Sequence, residues 1–382
     1  LGLLGAEIVK IEPPGKGDIC RPMLDTSNFG KGEFSPIFNG VNINKRSLAV
    51  DLKHPRGRAA VERIVAQCDV LVQNFRPGVI ERLGFGYEAV KQMRPDVVYC
   101  AISGYGQAGP KSTYAAFDGA VQAASGLMAS NGHASTGPTR TVSPVIDIST
   151  GMMAAFAIAA ALHRRAVSGE GQFIDVAMLD SAVTLLNPVY NNYLATGQEP
   201  ELLGNQSLTR IPTANVFATR DGWIQITAIT QPHIRALFRL LKMEAELDDP
   251  RFADEAGQVR HSSELGERIA AALAEADTSS WIERMREIGL PVAPIASLPE
   301  VLAEAQLEHR DLTVELEAPP GLGRERLELV TTGFKTDVDG PRAARFAPAV
   351  GEHSSQLLAQ FGFTAEEIDE LRGSGALGTA AA

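Results

Sequence analysis

PRGRAAVERIVAQCDVLVQNFRPGVIERLGFGYEAVKQMRPDVVYCAIS, residues 55–103, sets a helix, a strand, two short helices and a second strand in succession. Pro55 opens the helix at a position where a missing N–H costs nothing. Val61, Ile64, Val65 and Cys68 follow at spacings of three and four, which is one apolar helix face. DVLVQNF (69–75) then reads as a strand closed by Arg76, Pro77 and Gly78, and residues 97–103 read as the next. Ahead of this stretch lie strand patterns at 7–12 and 47–52. Beyond it come a strand FIDVAM (173–178) and a helix over about 179–194. Alternation of this kind predicts an α/β fold with a mainly parallel sheet covered on both faces. Such sheets bind ligands beyond the carboxyl ends of their strands, which makes residues 74–78 and 103–106 candidate ligand loops.

The texture changes after residue 195. Residues 196–212 are polar and punctuated by Gly and Pro, as a linker is. Residues 215–219 and 223–228 flank Arg220-Asp221-Gly222, a hairpin signal. Helical patterns cover about 232–273 and 279–288, a turn-rich boundary falls at 318–324, and 354–372 is helical again. From Gly373 onward the composition predicts fraying. The expected division is a large domain over 1–195, a smaller α+β domain with linkers over 196–317, and a return to the large domain over 318–382. LGLLGAEIVKIEPPG (1–15) reads as a helix tail running into a strand, as if the chain begins inside a fold already under way.

Apolar residues make up 45% and charged residues 21% of the 382, an ordinary globular balance with ample core. The net charge of −11 argues against a nucleic-acid surface. Cys20, Cys68 and Cys100 are odd in number and lack metal-type spacing, so they read as reduced thiols of a cytoplasmic protein with no metal site. Gly151–Leu162 is the longest apolar stretch, short for a membrane span, and no membrane partner is expected. No charged and apolar leader is evident.

Within TVSPVIDISTGMMAAFAIAAALHRR (141–165), Asp147 ends a short β-like run, Val145-Ile146, ahead of an apolar helix. The N–H groups and dipole at a helix start favour negative charge, so this carboxylate stays ionised even when half-buried. An ionised, poorly hydrated carboxylate attacks acyl thioesters. The same spacing also suits Asp147, or Ser149, as a simple helix cap.

Gly104-Tyr-Gly106-Gln-Ala-Gly109 spells a dinucleotide fingerprint after a strand. That fingerprint needs a helix to follow at once and an acid-terminated strand about twenty residues on. Here Pro110–Thr113 continue as loop and 119–128 is helix-like, so NAD binding is not expected.

GAEIVKIEPP (5–14), NKRSLAVDLKHP (44–55), VLVQNFRPGVIERLGFGYE (70–88), ISGYGQAGP (102–110), the D-x-x-x-G at 147–151, GEGQFIDVAMLDS (169–181), RDGWIQI (220–226) and VGEHS (350–354) occur in that order. Together they closely resemble the family III coenzyme A transferases, a group that also holds the α-methylacyl-CoA racemases. The resemblance implies a Rossmann-like large domain built from both chain ends, a smaller inserted domain, and an interlocked homodimer. It also implies that Asp147 is the catalytic nucleophile, working with an acyl-CoA and a small carboxylic acid as substrates. Coenzyme A is then a substrate, and no tightly bound cofactor is required. Asn74, Phe75 and Arg82 match positions lining the CoA site, and Lys53 matches a basic residue near the nucleotide phosphates. On the residues alone, Lys53 and Arg82 read first as solvated surface charge, and Phe75 reads equally as core. Asp118 matches an acidic position near the reaction centre and reads equally as a helix cap.

Several positions depart from relatives. A basic residue that some place before the Asp118 position is Ala115 here, and the N-terminal strand and loop that help hold CoA have no counterpart. The glycine-rich loop of the formyl-CoA enzymes is not evident, since 227–233 reads TAITQPH, which points away from oxalate and formate. Racemases of the group pair an aspartate with a histidine, and the histidine position is Phe117, which cannot exchange a proton. His133, His163 and His233 read as structural. CoA transfer is therefore the expected activity, with succinyl-CoA and a small dicarboxylate as the favoured substrates. A racemase and a non-catalytic CoA-binding protein are the alternatives.

Overall fold

The computed structural model describes residues 1–24, 33–319 and 322–378. Its strands in chain order are β1 (Ile8–Glu12), β2 (Lys45–Ala49), β3 (Val70–Gln73), β4 (Val98–Ser103), β5 (Gly132–His133) and β6 (Gly137–Pro138). They continue as β7 (Gln172–Ala177), β8 (Ala214–Ala218), β9 (Trp223–Thr227), β10 (Val292–Pro294), β11 (Thr313–Glu317) and β12 (Arg326–Val330). The chain divides into two compact units, one of Leu1–Phe117, Ile146–Ser181 and Leu302–Ala382, the other of Asp118–Val145 and Ala182–Val301.

The first unit holds the parallel sheets that the 55–103 pattern predicts. β4 runs parallel between β3 and β7, pairing Val70 with Val98 and Cys100 with Ile174, and β1 pairs in parallel with β2. The helix Pro55–Val65 starts at its proline and buries Ala60, Val61, Ile64 and Val65. Those residues join Leu48, Tyr99, Leu357 and Leu371 in one core. A second core forms where Ala154, Ile158 and Ala161 of the helix Val145–Ser168 meet Val98, Cys100, Ile174 and Val176. That helix is 24 residues long, enough by length and composition to cross a membrane, which corrects the expectation drawn from residues 151–162 alone. It lies on the sheet, however, and Arg165 in its last turn pairs with Asp69 at 2.8 Å.

The loop after β1 is fastened by a buried ion pair. Arg21 gives Nε and Nη2 to the two Glu12 oxygens at 2.9 and 2.7 Å, and both residues are almost wholly buried. The Ser47 hydroxyl and the Asp18 N–H complete the Glu12 shell. At the other end of the chain the expected fraying from Gly373 is corrected over 374–378. Gly378 N–H donates to Ala49 C=O, Asp51 N–H donates to Ala376 C=O, and Leu377 is buried. Residues 379–382 of that expectation, and 320–321 of the expected 318–324 boundary, lie outside the described residues.

In the second unit β8, β9 and β10 form an antiparallel sheet around the Arg220-Asp221-Gly222 turn. Phe217, Ile224 and Ile226 pack against Ile234, Phe238, Leu265 and Trp281. This unit also takes in 118–145, which the expected small domain of 196–317 leaves out. The β5–β6 hairpin explains the difference. His133 bridges to Leu203, Gly204 N–H donates to Gly132 C=O at 2.7 Å, and the Tyr190 hydroxyl donates to Ser125 C=O at 2.9 Å. Gly204 has φ +60, and a Cβ there would lie 2.4 Å from His133 Nδ1, so a side chain at 204 would displace the His133 ring where Leu203 bridges to it. The 196–212 segment is thus tied down over part of its length.

Candidate active site

Asp147 is the third residue of the helix Val145–Ser168, not the residue ahead of it. Val145 and Ile146 are helical rather than β-like. A two-residue apolar run carries no period, and fully buried Ile146 anchors the first turn after Pro144. Ser149 does not cap this helix, since its hydroxyl donates to Ile146 C=O, as does that of Thr150. Asp147 is exposed in the single chain and sits in the turn where the helix dipole favours an anion.

Charged groups that the sequence does not single out share this end of the first unit. Lys10 Nζ pairs with Asp18 at 2.5 Å, and Asp18 Oδ1 accepts the Cys20 N–H at 2.8 Å. Burial first, then the Asp18 carboxylate, push the Cys20 thiol above its ordinary value. Asp147 adds to that rise, which places its charge within electrostatic reach of Cys20. Lys45, opposite Ile8 at the start of β2, is brought down to about 8 by burial and then by the neighbouring Lys10. No local motif marks Lys10, Asp18, Cys20 or Lys45, because pairing of β1 with β2 and the fold of 13–24 assemble them.

The four expected CoA-site residues follow the carboxyl ends of strands. Lys53 is exposed after β2, its N–H bonded to Asp51 Oδ1. Asn74 and Phe75 leave β3, and Phe75 is 41% exposed, so the core reading of it is set aside. Phe75 N–H donates to Gln73 Oε1 at 2.8 Å. Arg82 folds back over the turn, with Nη1 3.3 Å from where a Cβ on Gly78 would stand, so Gly78 (φ +84) leaves the guanidinium its place. The loop after β4 is a turn through 110–113, with no helix until Asp118, and Gly104 packs where a Cβ would meet Ala116 at 2.2 Å.

Asp118 belongs to the second unit and is buried as the first residue of the helix Asp118–Ala124. Gln122 Nε2 donates to its Oδ1 at 2.5 Å. Phe117, where a racemase would need histidine, is 69% exposed and chemically inert toward protons.

A family model described as CoA-transferase family III matches residues 1–354. The chain is 35% identical over 373 residues to the succinyl-CoA:glutarate CoA-transferase of Mus musculus, covering 94% of this chain and 81% of that one. It is 33% identical over 365 residues to the succinate–glutarate CoA-transferase of Agrobacterium fabrum, covering 94% and 89%. The crystal structure of a CAIB/BAIF family protein from Brucella suis superposes with a TM-score of 0.80 at 28% identity, over 93% of this chain and 92% of that one. The mixed α/β fold with parallel sheets is the fold of that structure. With a matching family model over nearly all its length and CoA-transferases as relatives, the chain belongs to CoA-transferase family III.

Proposed function

We propose that the protein moves CoA from succinyl-CoA to a small dicarboxylic acid through covalent intermediates on Asp147. The observation that carries this reading is the position of Asp147. It is an exposed carboxylate in the first turn of a helix, inside the D-x-x-x-G that matches the family's nucleophile motif. The names of the mouse and Agrobacterium relatives support the substrate class.

In this scheme the Asp147 carboxylate attacks the donor thioester carbonyl, the C–S bond breaks, and CoA leaves as thiolate. The thiolate attacks the Asp147 acyl carbon of the resulting mixed anhydride, releasing the donor acid and leaving an aspartyl-CoA thioester. The acceptor carboxylate displaces the thiolate to form a second anhydride. The thiolate then attacks the acceptor acyl carbon, which frees the new thioester and the Asp147 carboxylate. The last departure returns negative charge to Asp147, where the helix start stabilises it. Every intermediate hydrolyses readily, so water must be kept away. Asp118 is the proposed second carboxylate, handling the acceptor or thiolate. Asn74, Phe75, Arg82 and Lys53 are the proposed CoA contacts. A homodimer, interlocked as the resemblance implies, is part of the same proposal, as is a reducing, cytoplasmic setting.

Intact-protein mass after incubation with succinyl-CoA and then hydroxylamine tests the scheme. A hydroxamate on the wild type, absent from Asp147→Ala, is expected. An adduct that persists in the variant, or none on a folded wild type that still binds CoA, would overturn it.

A further inference from the structure

Gln122 is wholly buried, one helical turn after Asp118 and on the same face. All of its amide is in use. The carbonyl Oε1 accepts the Thr141 N–H at 3.0 Å, and Nε2 donates to Asp118 Oδ1 at 2.5 Å and to Thr141 C=O at 3.4 Å. Rotating the amide by half a turn would set its oxygen against the Asp118 carboxylate and its NH2 against an N–H. Either contact is repulsive, so the orientation is fixed by its partners.

Thr141 is itself held. It follows the β5–β6 hairpin, where Thr139 N–H donates to Asn131 C=O at 2.7 Å and Asn131 Nδ2 donates to Thr139 C=O at 2.9 Å. A backbone N–H on a fastened segment therefore points the amide, and the amide points at the carboxylate. A buried hydrogen bond to a charged group is the strong kind, and a buried amide needs its partners. A purely packing role at this position would be met by Leu or Met without these donors.

We propose that Gln122 is the positioning residue of the second carboxylate, holding Asp118 in the one rotamer that CoA transfer uses. The inference rests on the assignment of Asp118 made above. It goes further by naming the group through which the hairpin segment 131–141 governs turnover. Gln122 touches Asp118 and not the substrate, so its loss weakens catalysis while leaving thioester binding in place.

The test is a double-mutant cycle on the full chain, with succinyl-CoA and glutarate as probe substrates. Gln122→Met is expected to lower kcat about 10- to 100-fold. KM for succinyl-CoA should stay within about twofold, since no CoA contact is removed. In an Asp118→Ala background the same change should cost nothing further, because the group it positions is gone. Gln122→Glu gives a readout that a structural role would not move. Its kcat relative to wild type should climb as pH falls from 8 to 5, as the protonated acid regains an O–H donor. This series carries the test alone where Gln122→Met fails to fold. Losses that multiply in the double variant, or a Gln122→Glu deficit that stays flat with pH, would overturn the inference and leave Asp118's role standing. A fully active Asp118→Ala removes both Asp118's role and this inference but spares Asp147. Wild type that forms no Asp147 adduct removes all three.

Discussion

Lys45 shows at the scale of one residue what the fold does to chemistry. Its side chain is only partly exposed, and burial followed by repulsion from Lys10 lowers it to about 8 from an ordinary value of 10.5. Below pH 8 the ammonium is charged in both folded and unfolded chains, and the fold carries the cost of holding it out of water. Between about 8 and 10.5 the unfolded chain binds the proton and the folded chain does not, so stability rises with pH through that window. Lys45→Met removes the linkage. Relative to that variant, wild type should gain on the order of 2 kcal/mol between pH 7 and pH 10, read by urea melts at each pH. A constant difference would show that Lys45 keeps an ordinary titration. Nothing in NKRS announces this behaviour. Asp147 was legible because a lone acid beside a long apolar helix is conspicuous in the sequence. Lys10, Asp18, Cys20 and Lys45 were not, since their proximity exists only once β1 and β2 pair.

Among the elements, the strands and helices of 55–103 were legible because each carries its own period, three-and-four for Pro55–Val65 and a compact apolar run for β4. Short-range signals also gave the β8–β9 hairpin through its Asp-Gly turn. The assignment of 118–145 to the second unit was hidden, because it depends on a two-residue bridge and on the close approach at Gly204. The loop 13–24 was equally hidden, for its order comes from tertiary partners. Arg21 reaches Glu12, the Pro348 carbonyl at 3.0 Å and the face of Phe38, joining that loop to two distant segments. Gly17 (φ +63) leaves the space, since a Cβ there would meet Arg21 at 2.7 Å. Arg21→Met leaves Glu12 charged and buried with its main partner gone, a change that costs roughly 3–5 kcal/mol. Denaturant melts should show that loss, and Glu12→Gln combined with Arg21→Met should recover part of it. A loss under about 1 kcal/mol would mean that water or rearrangement reaches Glu12.

For the whole molecule, the exposed side of the helix Val145–Ser168 is the feature that the single chain leaves without a physical reason. Ile148, Met152 and Phe156 recur every four residues and are 51, 68 and 74% exposed. Soluble chains seldom show water a continuous apolar stripe of this kind. A bilayer is a poor cover for it. The opposite face packs on the β3–β4–β7 sheet, Asp147 stands in the first turn, and Arg164 and Arg165 pair with Glu170 and Asp69 at the end. Crossing a membrane would carry a sheet with open edges into hydrocarbon. In the proposed homodimer a second copy of the chain would cover the stripe at no such cost, and it would also shield the exposed Asp147 next to Ile148 from bulk water, as labile anhydride intermediates require. The two requirements then have one solution, and they make a joint prediction. Wild type should run at twice the chain mass by light scattering, while Phe156→Glu, with a charge set in the middle of the stripe, should run at once the chain mass. The monomer should keep its circular dichroism, because its sheet-facing side is untouched, yet lose hydroxamate formation at Asp147. A wild-type monomer would refute the dimer. A Phe156→Glu monomer that forms the adduct at the wild-type rate would separate the interface from the chemistry.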